Sequence, residues 1–258
     1  MSVLGIDVGG SSIKGGLVDI STGQLVGEIL QVPTPKPSTP EAVMQQVAVL
    51  GQRLPGATAA GFAFPSVVKR NIARTAANVD SAWIGTDGAA LASATLGMPT
   101  LFLNDADAAG VAEMTWGAGR HTSGTVIMLT FGTGIGTAVF ADGQLVPNTE
   151  FGHIEMRGAD AEAWASARVR TEQNLDFPTW IARVNEYLQV IHALFWPDVF
   201  ILGGAVSERF DEFAPLLRST AKIRAAHFAG QAGVMGAALA ASQLAAAPPA
   251  STGPAGPP

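Results

Sequence analysis

The sequence contains the same anion-binding pattern twice. We expect each copy to form an apolar strand, a tight turn and a second apolar strand, with glycine supplying the positive φ angles of the turn. Free backbone N–H groups in such turns form concave anion sites. The pattern predicts two phosphate-binding turns that face each other across a cleft. Their members are Asp7, Gly9, Gly10, Ser11, Ser12 and Lys14 in residues 4–19, and Thr130, Gly132, Thr133, Gly134 and Gly136 in residues 128–142.

A carboxylate at a predicted strand-to-helix corner could act as a general base. The apolar run 101–103 leads into Asn104 and Asp105, which open a helical pattern. Asn and Asp are also favoured helix N-caps, so a structural role is the alternative. A fixed carboxylate can accept the proton of a hydroxyl that attacks phosphorus, and it can orient that hydroxyl. We therefore predict Asp105 as the general base, with Asn104 holding neighbouring hydroxyls.

A polar stretch after the second copy carries Glu150, His153 and Glu162. These side chains could bind a metal, but a lone Glu-x-x-His off a helix lacks the two-histidine face of a zinc protease. Carboxylates with a histidine also suit the vicinal hydroxyls of a sugar, and a structural His153 is a third possibility. Pro65 and Ser66 follow a predicted buried strand, at the sheet edge where ligands bind in open α/β sheets.

The composition limits the class of protein. The chain has 258 residues, of which 48% are hydrophobic and 14% charged, and this suits one large or two small α/β domains. A net charge of −6 argues against a nucleic-acid partner. No apolar run reaches the ~18–20 residues of a membrane span, and the N-terminus lacks a signal-peptide pattern, so we expect a cytoplasmic protein without a membrane partner. The absence of Cys excludes thiolate metal sites.

The remaining elements follow from apolar patterns and proline. Thr39 and Pro40 are typical of a helix start, which predicts a helix over 41–54. We expect residues 147–170 to be a polar, irregular stretch. Further strands are expected at 27–32, 57–63, 101–103 and 199–202, and further helices at 179–195 and 232–247.

We divide the predicted architecture into two lobes. Residues 1–104 form a small α/β lobe to which the last helix (about 232–247) returns, and residues 105–231 form a large α/β lobe. The tail 248–258 lacks apolar periodicity and is expected to be disordered. Basic residues are few, and Lys69, Arg70 and Arg74 are candidate rim charges beside the phosphate-binding turns.

With these residues in hand, the chain resembles the ROK family of sugar kinases, and within it the bacterial polyphosphate glucokinases. The resemblance runs from Leu4 to about Ala241. The ordered segments that carry it are GIDVGGSSIK (5–14), RTAANVDSAWIG (74–85), NDADAAG (104–110), LTFGTGIGT (129–137), PNTEFGH (147–153) and WPDVFILGG (196–204).

The resemblance implies an α/β fold of the actin-like or hexokinase type, a duplicated ribonuclease H-like architecture with two lobes around a cleft. It also implies that Asp105 is the catalytic base and that Asn104, Glu150, His153 and Glu162 contact the sugar. The turn on the donor side, which meets adenosine in members that use nucleotides, falls on Gly203 and Gly204. Many ROK proteins have a zinc motif of several Cys after the His; this chain has none, so we expect no zinc.

The resulting hypothesis is a polyphosphate-dependent glucokinase that transfers a phosphoryl group from inorganic polyphosphate, and also from ATP, to O6 of glucose. Mg²⁺ would neutralise the phosphates, with Asp7 placing it through water. The resemblance further suggests a homodimer, and mannose is a second candidate acceptor. ROK repressors carry a DNA-binding region before the first phosphate motif, and we expect none here because Asp7 stands almost at the start.

Three alternatives remain. The chain could be an ATP-dependent kinase for another hexose or amino sugar. It could be a non-catalytic sugar-sensing regulator, but such a protein would lose Asp105 or the phosphate turns, and neither is lost. It could be a cytoskeletal actin-like polymer, against which the sugar-binding residues argue.

Overall fold

The computed structural model describes residues 1–246, so the tail 248–258 that we predict to be disordered lies outside the described residues. The chain contains fourteen strands and eight α-helices within the described residues. The strands are β1 Ser2–Val8, β2 Ser12–Asp19, β3 Gln24–Pro33, β4 Ala60–Phe64, β5 Val68–Lys69, β6 Ile72–Ala73, β7 Thr100–Asn104, β8 Thr125–Phe131, β9 Ile135–Ala141, β10 Gln144–Val146, β11 Glu155–Met156, β12 Ala159–Asp160, β13 Val199–Gly203 and β14 Lys222–Ala225. The α-helices are α1 Pro40–Arg53, α2 Gly88–Leu96, α3 Asp105–Trp116, α4 Glu162–Ala165, α5 Ala167–Glu172, α6 Phe177–Phe195, α7 Phe210–Phe213 and α8 Ala232–Ala246.

Two five-stranded sheets share one plan. The first has the order β3-β2-β1-β4-β7, and the second has the order β10-β9-β8-β13-β14. In each, an antiparallel meander of three strands is followed by two strands parallel to its first strand. The same order therefore occurs twice, and it confirms the duplicated α/β fold.

Each sheet has its own aromatic core. Phe62, Phe64 and Trp83 pack together on the first sheet, with the Phe64 and Trp83 ring centroids 4.2 Å apart. On the second sheet, Phe131 meets Trp180 of α6 edge to face at 5.6 Å. Burial of these rings fixes the sheets, and with them the turns that the sheets carry.

Helix α8 lies against β1, β4 and helix α3. Glycine makes the close approach possible, because a side chain on Gly5 or Gly61 would collide with the backbone of α8, and one on Gly236 with the backbone of Ala108 in α3. The division of the chain at residue 104 stays a prediction. Within residues 1–246, no helix has both the length and the apolar character needed to cross a membrane.

The boundaries of several predicted elements are confirmed, with small shifts. Helix α1 spans Pro40–Arg53, one residue earlier at each end than predicted, and the predicted cap is confirmed because Thr39 Oγ1 accepts a hydrogen bond from Ala42 N at 3.3 Å. Helix α6 begins two residues earlier than expected, because Asp176 caps it by accepting from Thr179 N at 2.9 Å. The strand expected at 57–63 begins at Ala60, since its partner strand β7 begins only at Thr100.

The prediction that residues 147–170 are irregular is wrong. This segment forms the hairpin β11–β12 and the short helices α4 and α5. The strands have two residues each and the helices four and six. Elements this short do not complete enough periods for a hydrophobic pattern to reveal them.

Candidate active site

A cleft with a volume of about 380 Å³ lies where the turns of the two meanders meet. The first loop (residues 9–11) joins β1 to β2, and the second loop (residues 132–134) joins β8 to β9. A methyl group on Gly10 would come within 3.5 Å of Thr133 Oγ1, so the two loops face each other at close range. The volume falls within the range of about 300–1,000 Å³ that is usual for small-molecule sites.

The glycines of these loops do not have positive φ angles, so that part of the prediction is wrong; only the turns that follow β2 and β9 use Gly23 and Gly143 in this way. In the loops, glycine provides room. A side chain on Gly134 would collide with the carboxylate of Glu162, and one on Gly136, which follows the loop in β9, would collide with Thr130 Oγ1 and come within 2.9 Å of Ala106 Cβ. Gly132 has open space beside it and lines the cleft, but its N–H donates to Gly134 O and its carbonyl accepts from Arg168 N.

Asp7 and Lys14 form a cross-strand pair beside the first loop. Burial raises the pKa of Asp7 to about 6, and the nearby charge of Lys14 opposes this shift. Lys14 Nζ donates to Gly230 O at 2.7 Å, which fixes the ammonium group at the wall of the cleft. The first turn of α8 approaches from the other side, since a Cβ on Gly233 would lie 2.6 Å from Asp7 Cγ.

The helix-capping role at the start of α3 belongs to Asn104. Its Oδ1 accepts from Asp107 N at 3.0 Å, and its Nδ2 donates to Ser66 O at 3.1 Å. Asn104 is buried and has one Nδ2 hydrogen left for a ligand. Since Asn104 caps the helix, the structural alternative for this corner does not account for Asp105.

Asp105 lines the cleft at the N-terminus of α3. One oxygen, Oδ1, accepts from Ala106 N at 2.8 Å. Burial raises the pKa of Asp105 to about 7, and the carboxylates of Asp7 and Glu150 add to the shift. A carboxylate with this pKa can accept a proton near neutral pH, where a general base is most effective.

The turn after β4 is held by its own hydrogen bonds. Ser66 is buried; its Oγ donates to Val67 O at 3.0 Å and accepts from Thr75 N at 3.3 Å. Its carbonyl receives the amide of Asn104. Pro65 and Ser66 both line the cleft, but the Ser66 hydroxyl is engaged in the turn.

Glu150, His153 and Glu162 come together on one wall of the cleft. His153 Nδ1 lies 2.8 Å from Asp160 Oδ2, and His153 Nε2 lies 3.8 Å from Glu150 Oε2. The hydrogen bond to Asp160 is the main cause that raises the pKa of His153, and burial raises the pKa of Glu150. Glu162 Oε2 accepts from Ile135 N at 3.1 Å, so it also supports the second loop.

The cleft collects every site residue predicted from the sequence except Gly203. That residue packs behind the cleft against Met128 and Ala226, whereas Gly204, with φ of 85°, lines it. Lys69, Arg70 and Arg74 line neither the cleft nor the groove beside it, so no contact in these cavities supports the expectation that they are rim charges. Lys69 is the last residue of β5 and Arg70 follows it, and both side chains are exposed.

Sequence reasoning missed Asp160, which supports His153 from outside the lining, and it also missed part of the lining itself. Asp160 carries no motif of its own, and only the hairpin β11–β12 brings it to His153; the Arg157-Gly158 turn is the signal that could have revealed this hairpin. Most of the further lining residues lie beside predicted ones in sequence: Ala106, Phe131, Ile135, Thr137, Thr149 and Ala205. The others, Thr75, Ala77 and Asn78, belong to the segment 74–85 that carries part of the family resemblance. Among residues 1–246, no three His, Cys, Asp or Glu side chains are grouped so that they could hold a metal ion.

Comparison with known proteins gives consistent matches. The family model described as the ROK family matches residues 3–174. Polyphosphate glucokinase of Mycobacterium tuberculosis is 46% identical over 237 residues, which cover 92% of this chain and 89% of that protein.

Solved structures are similar across nearly the whole chain. The crystal structure of inorganic polyphosphate/ATP-glucomannokinase from Arthrobacter sp. strain KM matches with a TM-score of 0.90 and 44% identity, over 93% of this chain and 97% of that one. A ROK family glucokinase from Streptomyces griseus, in complex with glucose and AMPPNP, matches with a TM-score of 0.81 and 24% identity, over 94% and 100%. At 24% identity, the match to the Streptomyces griseus glucokinase shows a shared fold.

Proposed function

The chain belongs to the ROK family, and we propose that it is a polyphosphate-dependent glucokinase, which transfers a phosphoryl group from inorganic polyphosphate to O6 of glucose. One observation carries the proposal: a single cleft holds both glycine-rich loops, the carboxylate of Asp105 and the polar wall of Glu150, His153 and Glu162. The names of the relatives from M. tuberculosis and Arthrobacter support the same activity.

The proposed reaction assigns the proton to Asp105. The C6 hydroxyl of glucose gives its proton to the Asp105 carboxylate while its oxygen bonds to the terminal phosphorus of the donor. The bond from that phosphorus to the bridging oxygen breaks, and the chain leaves one phosphate shorter. Such a transition state needs little covalent help from the protein, so positioning and electrostatics supply most of the catalysis.

The donor binds between the two loops in this proposal. Residues 9–11 and 132–134 line the cleft, and Lys14 adds a fixed positive charge. Gly9 N donates to Ser12 O and Gly132 N donates to Gly134 O, so the loop N–H groups left for the donor are those of Gly10, Ser11, Thr133 and Gly134. Concave sets of N–H groups bind phosphate oxygens well. The sugar then lies against Glu150, His153 and Glu162, whose acceptors and donors match vicinal hydroxyls.

Mg²⁺ is a further part of the proposal. Asp7 lines the cleft beside the first loop, and within residues 1–246 its carboxylate accepts no side-chain or backbone hydrogen bond. Mg²⁺ is commonly held by one or two carboxylates, by substrate phosphates and by several waters, so Asp7 fits this role through water. When bound, the ion neutralises charge on the phosphates.

The finer assignments rest on the family likeness. We propose ATP as a second donor, with Gly204 on its side of the cleft, and mannose as a second acceptor. A homodimer and a cytoplasmic location complete the proposal.

A matrix of donors and sugars tests it. Purified protein is assayed with long-chain polyphosphate, tripolyphosphate and ATP against glucose, mannose and N-acetylated hexosamines, with Mg²⁺ and with EDTA. We expect glucose 6-phosphate from polyphosphate, and no product with EDTA. Turnover with ATP alone would favour an ATP-dependent hexose kinase, and glucose binding without turnover for any donor would favour a regulator.

A further inference from the structure

A second groove opens directly from the two loops. It shares Gly10, Ser11, Asn78 and Thr133 with the cleft and has a volume of about 590 Å³. Its other lining residues are the segment 34–38, Val79, Asp80 and Arg168. The groove therefore continues from the point at which the first and second loops face each other.

Each wall of the groove is tied to one of the loops. Thr34 Oγ1 donates to Gly9 O at 2.6 Å, and Thr34 N donates to Ser11 O at 3.2 Å. On the opposite wall, Arg168 N donates to Gly132 O at 3.0 Å. A ligand bound between the loops can therefore extend into the groove, and hydrogen bonds to the loops hold both walls of the groove in place.

The charge of the groove suits a phosphate chain. Lys36 and Arg168 stand on opposite walls with exposed side chains, and within residues 1–246 neither forms an ion pair. The one acidic lining residue, Asp80, accepts from Ala82 N at 2.9 Å. No lining residue is aromatic, so the groove offers cations and hydroxyls but no ring on which a base could stack.

We propose that this groove binds the phosphates of a polyphosphate chain that lie beyond the transferred group, with Lys36 and Arg168 as the paired cations. The inference rests on the proposed function. Gly204 and Ala205, on the nucleotide side of the cleft, do not line the groove. A nucleotide base and a long phosphate chain would therefore leave the cleft by different routes. Lys36 and Arg168 then determine preference for long chains, and they do not contact the group that is transferred.

The test compares two double variants that remove the same charge. Lys36→Ala/Arg168→Ala removes the groove cations, and Lys69→Ala/Arg70→Ala removes two exposed cations that line neither cavity. KM is measured for long-chain polyphosphate, tripolyphosphate, ATP and glucose. Direct binding of long-chain polyphosphate is measured by calorimetry without sugar, so that the groove is tested even if polyphosphate is not a donor.

We expect the groove variant to raise both KM and Kd for long-chain polyphosphate by about 3- to 10-fold, since each exposed charge contact contributes modestly. Its values for tripolyphosphate, ATP and glucose stay within about twofold, and the control variant matches the wild type. An equal effect on tripolyphosphate, or a groove variant that behaves like the control in both assays, would overturn the inference. If polyphosphate binds the groove but is never a donor, the proposed function fails and the groove assignment stands.

Discussion

Asn148 binds the backbone of Val68 with both the oxygen and the nitrogen of its side-chain amide. Val68 N donates to Asn148 Oδ1 at 2.6 Å, and Asn148 Nδ2 donates to Val68 O at 2.9 Å. Asn148 N in turn donates to Asp107 Oδ2 at 2.8 Å. Asn148 and Val68 are 80 positions apart. Asn148 lies close in sequence to Glu150, and Val68 lies close to Ser66. This contact therefore ties the segment that carries Glu150 to the turn that carries Ser66.

We expect Asn148→Ala to raise the KM for glucose and lower thermal stability. The substitution leaves the buried N–H and carbonyl of Val68 without partners, at a cost of about 1–3 kcal/mol. Asn71→Ala is the matched control, because Asn71 also has a positive φ (65°, against 59° for Asn148) but its side chain makes no hydrogen bond in the described chain. If the kinetics and thermal melts of the two variants were equal, the contact between Asn148 and Val68 would have no role in glucose binding or stability.

Asp105→Asn should abolish turnover while the protein still folds and binds glucose. The amide keeps the shape of the side chain but cannot accept the proton, and removal of a positioned base costs ~10²–10⁴-fold in rate. Because burial raises the pKa of Asp105 to about 7, ionisation of Asp105 destabilises the folded state relative to the unfolded state, and this cost is complete above pH 7. The melting temperature of the variant at pH 8 should thus equal or exceed that of the wild type.

A helix-capping carboxylate provides the control for this experiment. Asp87 caps α2 by accepting from Ala90 N at 2.9 Å and lines no part of the cleft. Asp87→Asn should keep activity close to that of the wild type. If the Asp105 and Asp87 variants were equally active, Asp105 would have no role as a base.

The pH dependence of kcat/KM should follow the carboxylates of the cleft. Asp105, with a pKa of about 7, and Asp7, with a pKa of about 6, must both be ionised for proton acceptance and cation binding. Activity is thus expected to be full above pH 7 and to fall as pH decreases through 7 and then 6. A profile that stays flat down to pH 5, with saturating Mg²⁺ and a stable fold, would contradict these roles.

Much of the fold could be predicted because its signals are local and repeated. The two strand–turn–strand copies, the duplicated sheets and the start of α3 at Asp105 follow from apolar runs punctuated by glycine and by capping residues. The φ angles of the loop glycines could not be predicted, because Gly134 is required by the nearby Glu162 and not by the turn itself.

The parts of the site that the sequence did not reveal depend on how the chain folds back on itself. Asp160 reaches His153 only through the hairpin β11–β12. Lys36 and Arg168 are 132 positions apart (168 − 36) and share a groove only because each wall is bound to a different loop. No sequence-spacing rule relates Lys36 to Arg168, whereas the Glu-x-x-His spacing identifies Glu150 and His153 as a pair.

His153→Ala should raise the KM for glucose with a smaller effect on kcat, because the imidazole lines the sugar wall. Asp160→Asn should have a weaker effect in the same direction, since its carboxylate orients the ring through Nδ1 and raises the pKa of His153. We expect a zinc chelator to leave wild-type activity unchanged when Mg²⁺ is supplied in excess. Stoichiometric, tightly bound zinc in metal analysis would contradict the assignment of His153 to the sugar.

Salt should affect the KM values of the two substrates differently. The donor is bound in this proposal by Lys14 and by the exposed cations Lys36 and Arg168, and exposed charges are screened over ~10 Å at 0.1 M salt and ~3 Å at 1 M. Glucose carries no charge and is held by hydrogen bonds to side chains of the cleft wall. The KM for long-chain polyphosphate should therefore rise steeply between low and moderate salt, while the KM for glucose at saturating donor stays flat.

The free Mg²⁺ concentration is held constant in this experiment, because Mg²⁺ also binds polyphosphate. In the Lys36→Ala/Arg168→Ala variant the rise in KM with salt should be shallower, since fewer charge contacts remain to be screened. In the Lys69→Ala/Arg70→Ala control it should be unchanged, because those cations lie outside both cavities. Parallel salt dependence for polyphosphate and glucose would mean that salt acts on the protein as a whole, and the electrostatic account of donor binding would then be wrong.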